Sequence, residues 1–593
     1  TYFEGVRLPR LYHEGGVRSV LPSDMIDSVT LVPGAYAAPY GRGLGGLVLV
    51  SPSQLAETGV HGSASADVLD AGATVRGGTR AVRFEVGGRV SYLDALLGGV
   101  LPAETKDAYP LPRYHDAQAR LQLRPDAATT VEVGALLSSD AVTRSLVRRD
   151  PAFTRREERR ESFDRLYIRY RNTAANGDTV HVVPWVGTEN TSVVRAFGAV
   201  PTELASHTTA GGVRASWRGR ATANLVIAVG FDGEVDVVHV TRRGSVLDPP
   251  REGDLRLFGQ PPSDSVNGDD WAVTQVGLAP FVEADWSLAG GRVHVLPGLR
   301  VDPYLRSVSR KTPREGDTPG LGLFAQDAQV EPRLALSYRP ATGFEVRAAG
   351  GVFSRAAPGV DLSAVFGNPA LPPAQALHGT LGTALTRGPV TLETTVFVTA
   401  SSRLPVRSPS ATPGLTESLV AIGNGRTYGV QAVARLAPVA GVQGWLSYTV
   451  QRSERQDGPG QAFRLSDFDQ AQALTAVASW EPGGGFTAGL RFRVTSGFPR
   501  TPVAGSYYDA SRDLYQPIYG RRNTERLPLF VQLDARVSKR LPLAGGELEL
   551  YGEVLNVTAQ ANAEEIVYNE SLTERGYLTG LPILPMAGLR WSR

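Results

Sequence analysis

Cysteine is absent from these 593 residues, and methionine occurs only twice. Without thiols the chain has no disulfides, no thiolate metal sites and no cysteine nucleophile. Lysine is scarce as well, so the Lys+Arg total of 61, set against 59 Asp+Glu, is almost all arginine. A formal charge of +2 leaves no basic footprint for nucleic acid. Long hydrophobic runs are also lacking, and nothing approaches the roughly 18 to 20 apolar residues of a membrane-spanning helix. The eight histidines show no ligand spacing, and no nucleophile-elbow, zincin or phosphate-loop motif is present. The sequence therefore points to no catalytic residues, no metal site, no cofactor and no enzyme.

What the chain does have is period-two alternation, repeated over most of its length. Arg333, Ala335, Ser337 and Arg339 alternate with Leu334, Leu336 and Tyr338. Arg491 and Arg493 alternate with Leu490 and Phe492, and Gln532, Asp534 and Arg536 with Val531, Leu533 and Val537. Alternation puts each set on one face of a strand. One face is apolar and the other fully charged, which suits a wall between lipid and a polar lumen. On this reading Arg333, Arg339, Arg491, Arg493, Asp534 and Arg536 face the lumen, and Leu334, Leu336, Leu490, Phe492, Leu533 and Val537 face lipid.

Short connections such as 340–342, 438–440 and 542–545 alternate with long ones such as 93–112, 139–162, 305–327, 498–526 and 559–582. Short turns on one rim and long loops on the other are the pattern of an outer-membrane barrel. The candidate strands, from 63–74 to 583–592, come out odd in number. An antiparallel barrel of this kind closes with an even number, so one strand is expected to be missing near residues 50–75. The expected fold is an all-β membrane protein, an antiparallel outer-membrane β-barrel of about 22 strands, the size at which the lumen is plugged. Tyr338, Trp445, Trp480, Phe492, Trp286 and Trp591 are expected to contribute to aromatic belts at the membrane interfaces.

Residues 1–55 differ from the rest. They are rich in glycine, with short apolar strands at 26–32 and 46–50, and have the size of a small α/β module. The expected organisation is a partial globular insert at 1–55 and the barrel at 56–593. Thr1 lies inside what reads as a folded strand and turn, with no signal peptide, so further chain is expected upstream.

The first segment carries a resemblance. Tyr2-Phe3-Glu4-Gly5-Val6, Ile26-Asp27-Ser28-Val29, Pro33-Gly34 and Tyr40-Gly41-Arg42-Gly43-Leu44-Gly45-Gly46 stand in the order and spacing of the last part of a TonB-dependent receptor plug. Phe281-Val282-Glu283-Ala284-Asp285-Trp286, Leu555-Asn556-Val557-Thr558 and the close at Leu584–Trp591 are similar to barrel strands of the same family. Glu4 stands where the family usually has Asp, and the chain ends on Arg593 rather than on an aromatic residue. The resemblance implies uptake of a scarce nutrient across the bacterial outer membrane, an iron chelate, cobalamin, glycan or peptide, through a plugged multi-pass barrel. It also implies an energy-transducing partner of the TonB type, engaged through a TonB box upstream of Thr1. Outer-membrane lipid and lipopolysaccharide are the expected surroundings. An alternative is an outer-membrane component of a larger assembly with a surface lipoprotein or secretion partner; a passive porin would need no folded segment before the barrel.

Gly34, Tyr40, Gly41, Arg42, Gly45 and Gly46 are expected to be structural in the plug, with Arg42 pairing to a wall carboxylate such as those on the Glu547/Glu549 face. Tyr12, His13 and Tyr36, in plug loops, are the candidates for substrate contact. The charge run Arg155–Glu161 is expected in a solvated outer loop.

Overall fold

Alternating faces, short turns and an even strand count dictate a closed wall, and the wall is what forms. In a computed structural model, residues 1–593 are described except 15, 17, 56–57, 94, 96–111, 147–153, 198–199, 259–265, 310–322, 411 and 512. From Gly59 onward the strands pair antiparallel with their chain neighbours. The last strand, Leu584–Ser592, pairs with the first, Gly59–Asp67, and closes the ring. The two-residue strand Arg464–Leu465 pairs with the same strand as Gln472–Gly483, so both share one stave and the barrel has 22 strands. No helix among the described residues is long and apolar enough to cross a membrane.

The missing strand lies where parity required it. Candidate 63–74 straddles a turn at Val68–Leu69, with Gly59–Asp67 on one side and Asp70–Gly78 on the other. Small residues such as Gly62, Ala64, Ala66, Ala71 and Gly72 blur the alternation there. Strand ends differ more. Thr129–Leu146 and Arg155–Thr173 span 18 and 19 residues, and Thr179–Phe197 and Val200–Thr222 span 19 and 23. Only about 9 to 11 residues are needed to cross the bilayer, so these hairpins continue well beyond it. The charge run Arg155–Glu161 is thus strand rather than loop, paired on both edges. Most of the expected loops 93–112 and 305–327 lie outside the described residues. Loops 498–526 and 559–582 fold back as hairpins, Val503–Asp509 with Leu514–Tyr519 and Ala563–Tyr568 with Arg575–Thr579.

The faces are as the alternation predicts. Arg333 reaches main-chain carbonyls of residues 36, 37 and 40 inside the barrel. Arg536 stacks on Tyr551, whose hydroxyl donates to Asp67, itself an acceptor for Arg18 of the inner module. Leu334, Leu490, Phe492 and Val537 are exposed on the opposite face. Trp286, Tyr338 and Trp480 are exposed at the short-turn rim, where amphipathic rings bridge hydrocarbon and headgroups. Trp445 departs from the expected belt. It pairs with Arg435 while its neighbour Leu446 pairs with Ala434, which turns the indole to the lumen side.

Residues Tyr2–Pro52 form a four-stranded sheet and one 3-10 turn, Ser23–Met25, with no α-helix in the described part. The sheet therefore replaces the expected α/β module. It docks on an apolar patch of the lumen wall. Phe3, Val6, Leu8, Val20, Leu21 and Val50 pack against Leu136, Phe163, Tyr167, Val183 and Trp185. A large side chain fully buried in such a patch contributes about 1.5 to 3 kcal/mol. A wall read as polar from its arginines thus carries an apolar seat as well.

Candidate functional site

The segment Pro33–Gly46 leaves the edge strand Ile26–Val32, crosses toward the wall and returns into Leu47–Pro52. Its turn is set by two close approaches. A Cβ on Gly41 would lie 2.3 Å from Arg300 Nε, and a Cβ on Gly46 would lie 2.5 Å from the Val32 carbonyl oxygen. Neither position admits a side chain without moving the wall or the strand. Gly34 lies against His378, and Gly45 faces open space.

Between those glycines, Arg42 adopts a φ of 60°. A left-handed conformation costs a residue with a Cβ roughly 1 to 2 kcal/mol. The side chain is held by three wall carboxylates. Nη1 lies 3.0 Å from Glu234 and 3.4 Å from Asp232, and Nε lies 3.5 Å from Asp302. Nη2 donates to the Asp232 carbonyl at 2.7 Å. Burial opposes the Arg42 charge, but Asp232, Asp302 and Glu234 more than offset it, and its pKa is raised. These acids replace the expected Glu547/Glu549 face, whose Glu549 instead pairs with Arg536.

Around this pair the wall supplies further cations. Arg300 bridges Asp232 and Asp302 at 2.8 and 2.9 Å. Arg214 lies over the rings of Tyr2 and Tyr40 at 4.5 and 4.7 Å, favourable as cation–π geometry. Tyr40 also packs 5.2 Å from Tyr2. From the module itself, Arg7 reaches Glu234, Asp236 and Glu189. Asp232, Glu234 and Asp236 stand two apart on one strand, Leu225–Gly244, so a single face carries three acids toward the module. The Asp232/Glu234/Asp236 triplet carries the same signal as the alternation at Arg333: charges at period two on one face of a strand, awaiting partners from a distant segment.

The three contact candidates fall in different surroundings. Tyr12 is 56% exposed. His13 is buried, with Nδ1 2.6 Å from Asp140 and Nε2 2.9 Å from Asp116. Tyr36 is buried against Phe353 and donates its hydroxyl to the Gly43 carbonyl at 2.7 Å. Burial pushes the Tyr36 phenol up.

A second feature lies at the long-loop end. A cavity of about 900 Å³ is bounded by residues 248–258, 464–470, 493–501 and 522–530 and by the hairpin from Ala563. Phe258, Phe468, Phe498 and Phe530 contribute aromatic surface. Most of its arginines are neutralised: Arg251 by Asp361, Arg464 by Asp457, Arg500 by Glu565, Arg522 by Asp457. Arg493 differs. It donates to Gln532 at 3.1 Å and lies 4.4 Å over Phe530, with no carboxylate at ion-pair distance among the described residues. The cavity stands over strands Gln472–Gly483, Phe486–Thr495 and Phe530–Leu543. The inner module's hydrogen bonds and ion pairs run instead to strands between Gly59 and Arg387 and to the last strand, through Asp24 and Arg590.

Comparison with known proteins agrees with this arrangement. A family profile described as TonB dependent receptor-like, beta-barrel matches residues 97–557. Among curated proteins none matches the sequence. Solved structures do. The ferric citrate transporter FecA in its unliganded form has a TM-score of 0.74 at 15% identity, over 100% of this chain and 87% of that one. The ferric yersiniabactin uptake receptor FyuA from Yersinia pestis gives 0.72 at 13%, over 100% and 88%. The copper transporter OprC gives 0.71 at 13%, over 100% and 90%. At such identities the likeness is one of fold. With the family profile spanning most of the barrel and a plug seated in a 22-stranded wall, the chain belongs to the TonB-dependent receptor family of the bacterial outer membrane.

Proposed function

We propose that the chain takes up a bulky ligand bearing an anionic group, captured in the outer cavity and passed into the lumen when the plug is displaced. The observation that carries this reading is Arg493, a cation at the cavity wall whose protein partners are an amide and an aromatic face. A charged group without a counter-ion in a partly desolvated site gains most when the ligand supplies one. The aromatic rings offer stacking surface, and long loops on a rigid wall are where recognition residues collect. Ferric citrate, ferric yersiniabactin and copper are the cargoes named for three proteins of this fold. An iron chelate with free carboxylates and an aromatic or apolar face satisfies both features of this cavity; a neutral glycan satisfies only the aromatic one. Energy is supplied by a TonB-type protein. The route inward follows strands Val390–Leu555, the side away from the plug's polar contacts. In this reading Tyr12, the exposed one of the three plug candidates, is left to meet cargo, while His13 and Tyr36 seat the plug.

A binding panel of ferric chelates, cobalamin, oligosaccharides and peptides tests the proposal. One anionic class is expected to bind, and Arg493→Gln is expected to weaken it roughly 10- to 100-fold, the worth of a charged hydrogen bond of about 1.5 to 3 kcal/mol. Tight binding of a neutral ligand, unchanged in Arg493→Gln, contradicts it.

A further inference from the structure

Two histidines hold the plug to the wall at separate places, and their surroundings require opposite protonation states. His13 sits on the plug loop between Leu11 and Val20, stacked 4.1 Å from Tyr114. Its side chain is 2% exposed, and those of Asp116 and Asp140 are 0% and 5%. Both ring nitrogens face carboxylate oxygens, which only accept. Arg89 lies 3.2 Å from Nε2, but Asp116 Oδ2 is nearer at 2.9 Å, so Nε2 carries a proton. Nδ1, 2.6 Å from Asp140 Oδ1, carries the other. The neighbouring charges are paired: Arg89 with Asp116, and Arg10 with Asp140 and Glu161, the last shared with Arg159, which also faces Glu14. Arg18 pairs with Asp67 and Asp70, and Asp70 accepts from Tyr114.

His378 is built the other way. It projects from strand Ala374–Arg387 onto the plug turn. The main-chain N–H of Ala35 donates to Nδ1 at 3.2 Å, so Nδ1 carries no proton. Nε2 donates to the Leu44 carbonyl at 3.1 Å. The ring stacks 4.3 Å from Phe353, over which the Arg333 guanidinium lies at 4.4 Å. Arg333 is paired to Glu331, and no carboxylate contacts the imidazole among the described residues. A second proton would set one N–H against another and add a cation beside Arg333.

We infer that His13 and His378 are opposed proton-sensitive latches on the plug, the first closed as imidazolium and the second closed as the neutral ring. This rests on residues 1–55 being seated in the lumen and is independent of the cargo. Burial alone would lower the His13 pKa, but its hydrogen bonds to Asp116 and Asp140 more than offset that, and it is raised. The first latch is therefore complete below the ordinary histidine value of roughly 6.5 and is lost as pH rises through the raised value. The second is lost in the other direction, as acid adds a proton to Nδ1. Seating is tightest between the two, and each excursion frees a different loop: the Leu11–Val20 loop in base, the Ala35–Leu44 turn in acid.

The chain lacks cysteine, so single nitroxide labels can report each loop. Glu14→Cys lies beside His13, and Gly45→Cys, where an added Cβ meets nothing within 4 Å, lies beside Leu44. Label mobility is read by electron paramagnetic resonance in liposomes from about pH 5 to about pH 9, the range in which histidine titrates. The Glu14 label is expected to gain a mobile component as pH rises, and the Gly45 label as pH falls. His13→Gln leaves the Glu14 label mobile at every pH. His378→Gln, whose amide can accept from Ala35 and donate to Leu44 without titrating, leaves the Gly45 label ordered and flat. Parallel loosening of both labels in acid, or flat traces in the unsubstituted background, overturns the inference. Both labels mobile at every pH overturns it together with the seated plug.

Discussion

Replacing Arg42 by methionine is expected to unseat the plug at much lower denaturant concentration while leaving the barrel intact. The methionine keeps most of the side-chain volume and removes the charge. Asp232 and Glu234 then lose a cation that sits within 3.4 Å of each, and Asp302 loses one at 3.5 Å. Arg300 and Arg214 still serve Asp232, Arg300 still serves Asp302, and Arg7 still serves Glu234. Breaking a buried pair so that a charge is left unpaired costs about 3 to 5 kcal/mol; with another arginine left on each acid, the expected loss is that of charged hydrogen bonds, about 1.5 to 3 kcal/mol. At roughly 1 to 3 kcal/mol per molar urea, the midpoint for plug release should fall by about 1 M. The φ of 60° sharpens the expectation: without its ion pairs, residue 42 has no compensation for the left-handed backbone. Plug release is read as the appearance of open-pore conductance during urea titration. Arg42→Lys should recover part of the loss, since a point charge cannot span three acids. An unchanged midpoint in Arg42→Met would show that the plug is held elsewhere.

The second large effect is expected on the outside of the wall. Leu490 is 52% exposed on the lipid face and pairs with Ala478. Leu490→Arg puts a guanidinium into hydrocarbon, at a cost of about 2 to 4 kcal/mol near mid-depth. Ser479→Arg, one residue along the paired strand from Ala478, puts the same side chain on the lumen face, opposite Gly489 and Gln443 and two residues from Glu481 on its own strand. It should cost far less. Equilibrium unfolding in lipid bilayers distinguishes the two; equal costs would mean that the faces are assigned wrongly.

The barrel was legible in the sequence because lipid imposes a rule with few exceptions: every second residue of a spanning strand is apolar. Strands such as Leu323–Ala341 and Phe530–Leu543 obey it wherever they cross. Above the bilayer the rule lapses, since both faces of a hairpin then meet water. Arg155–Glu161 therefore reads as a loop although it is hydrogen-bonded strand, continuous with the spanning part that ends at Thr173. Gly59–Asp67 and Asp70–Gly78 were recoverable only by parity, their residues being too small to declare a face.

The plug seat was legible in kind but not in partner. Gly41 and Gly46 announce close backbone approaches, and both occur. The choice of Asp232 over Glu549 as the Arg42 partner depends on how the module is rotated in the lumen, which no local pattern encodes. The same holds for His13. A histidine in a plug loop reads as solvated until Asp116 and Asp140, more than a hundred residues away in sequence, are brought to either side of it. Phe3, Val6 and Val50 docking on Leu136, Tyr167 and Trp185 went unread for a related reason. Apolar residues inside a barrel were not expected where the alternation promised charge.

Residues 1–55 are expected to close a lumen that a 22-stranded wall would otherwise leave wide. The direct measurement is single-channel conductance in planar bilayers for the intact protein and for the same protein lacking residues 1–55. Low conductance for the intact protein and a large, stable pore after deletion is the predicted result. A large conductance already present in the intact protein and unchanged by the deletion would contradict it.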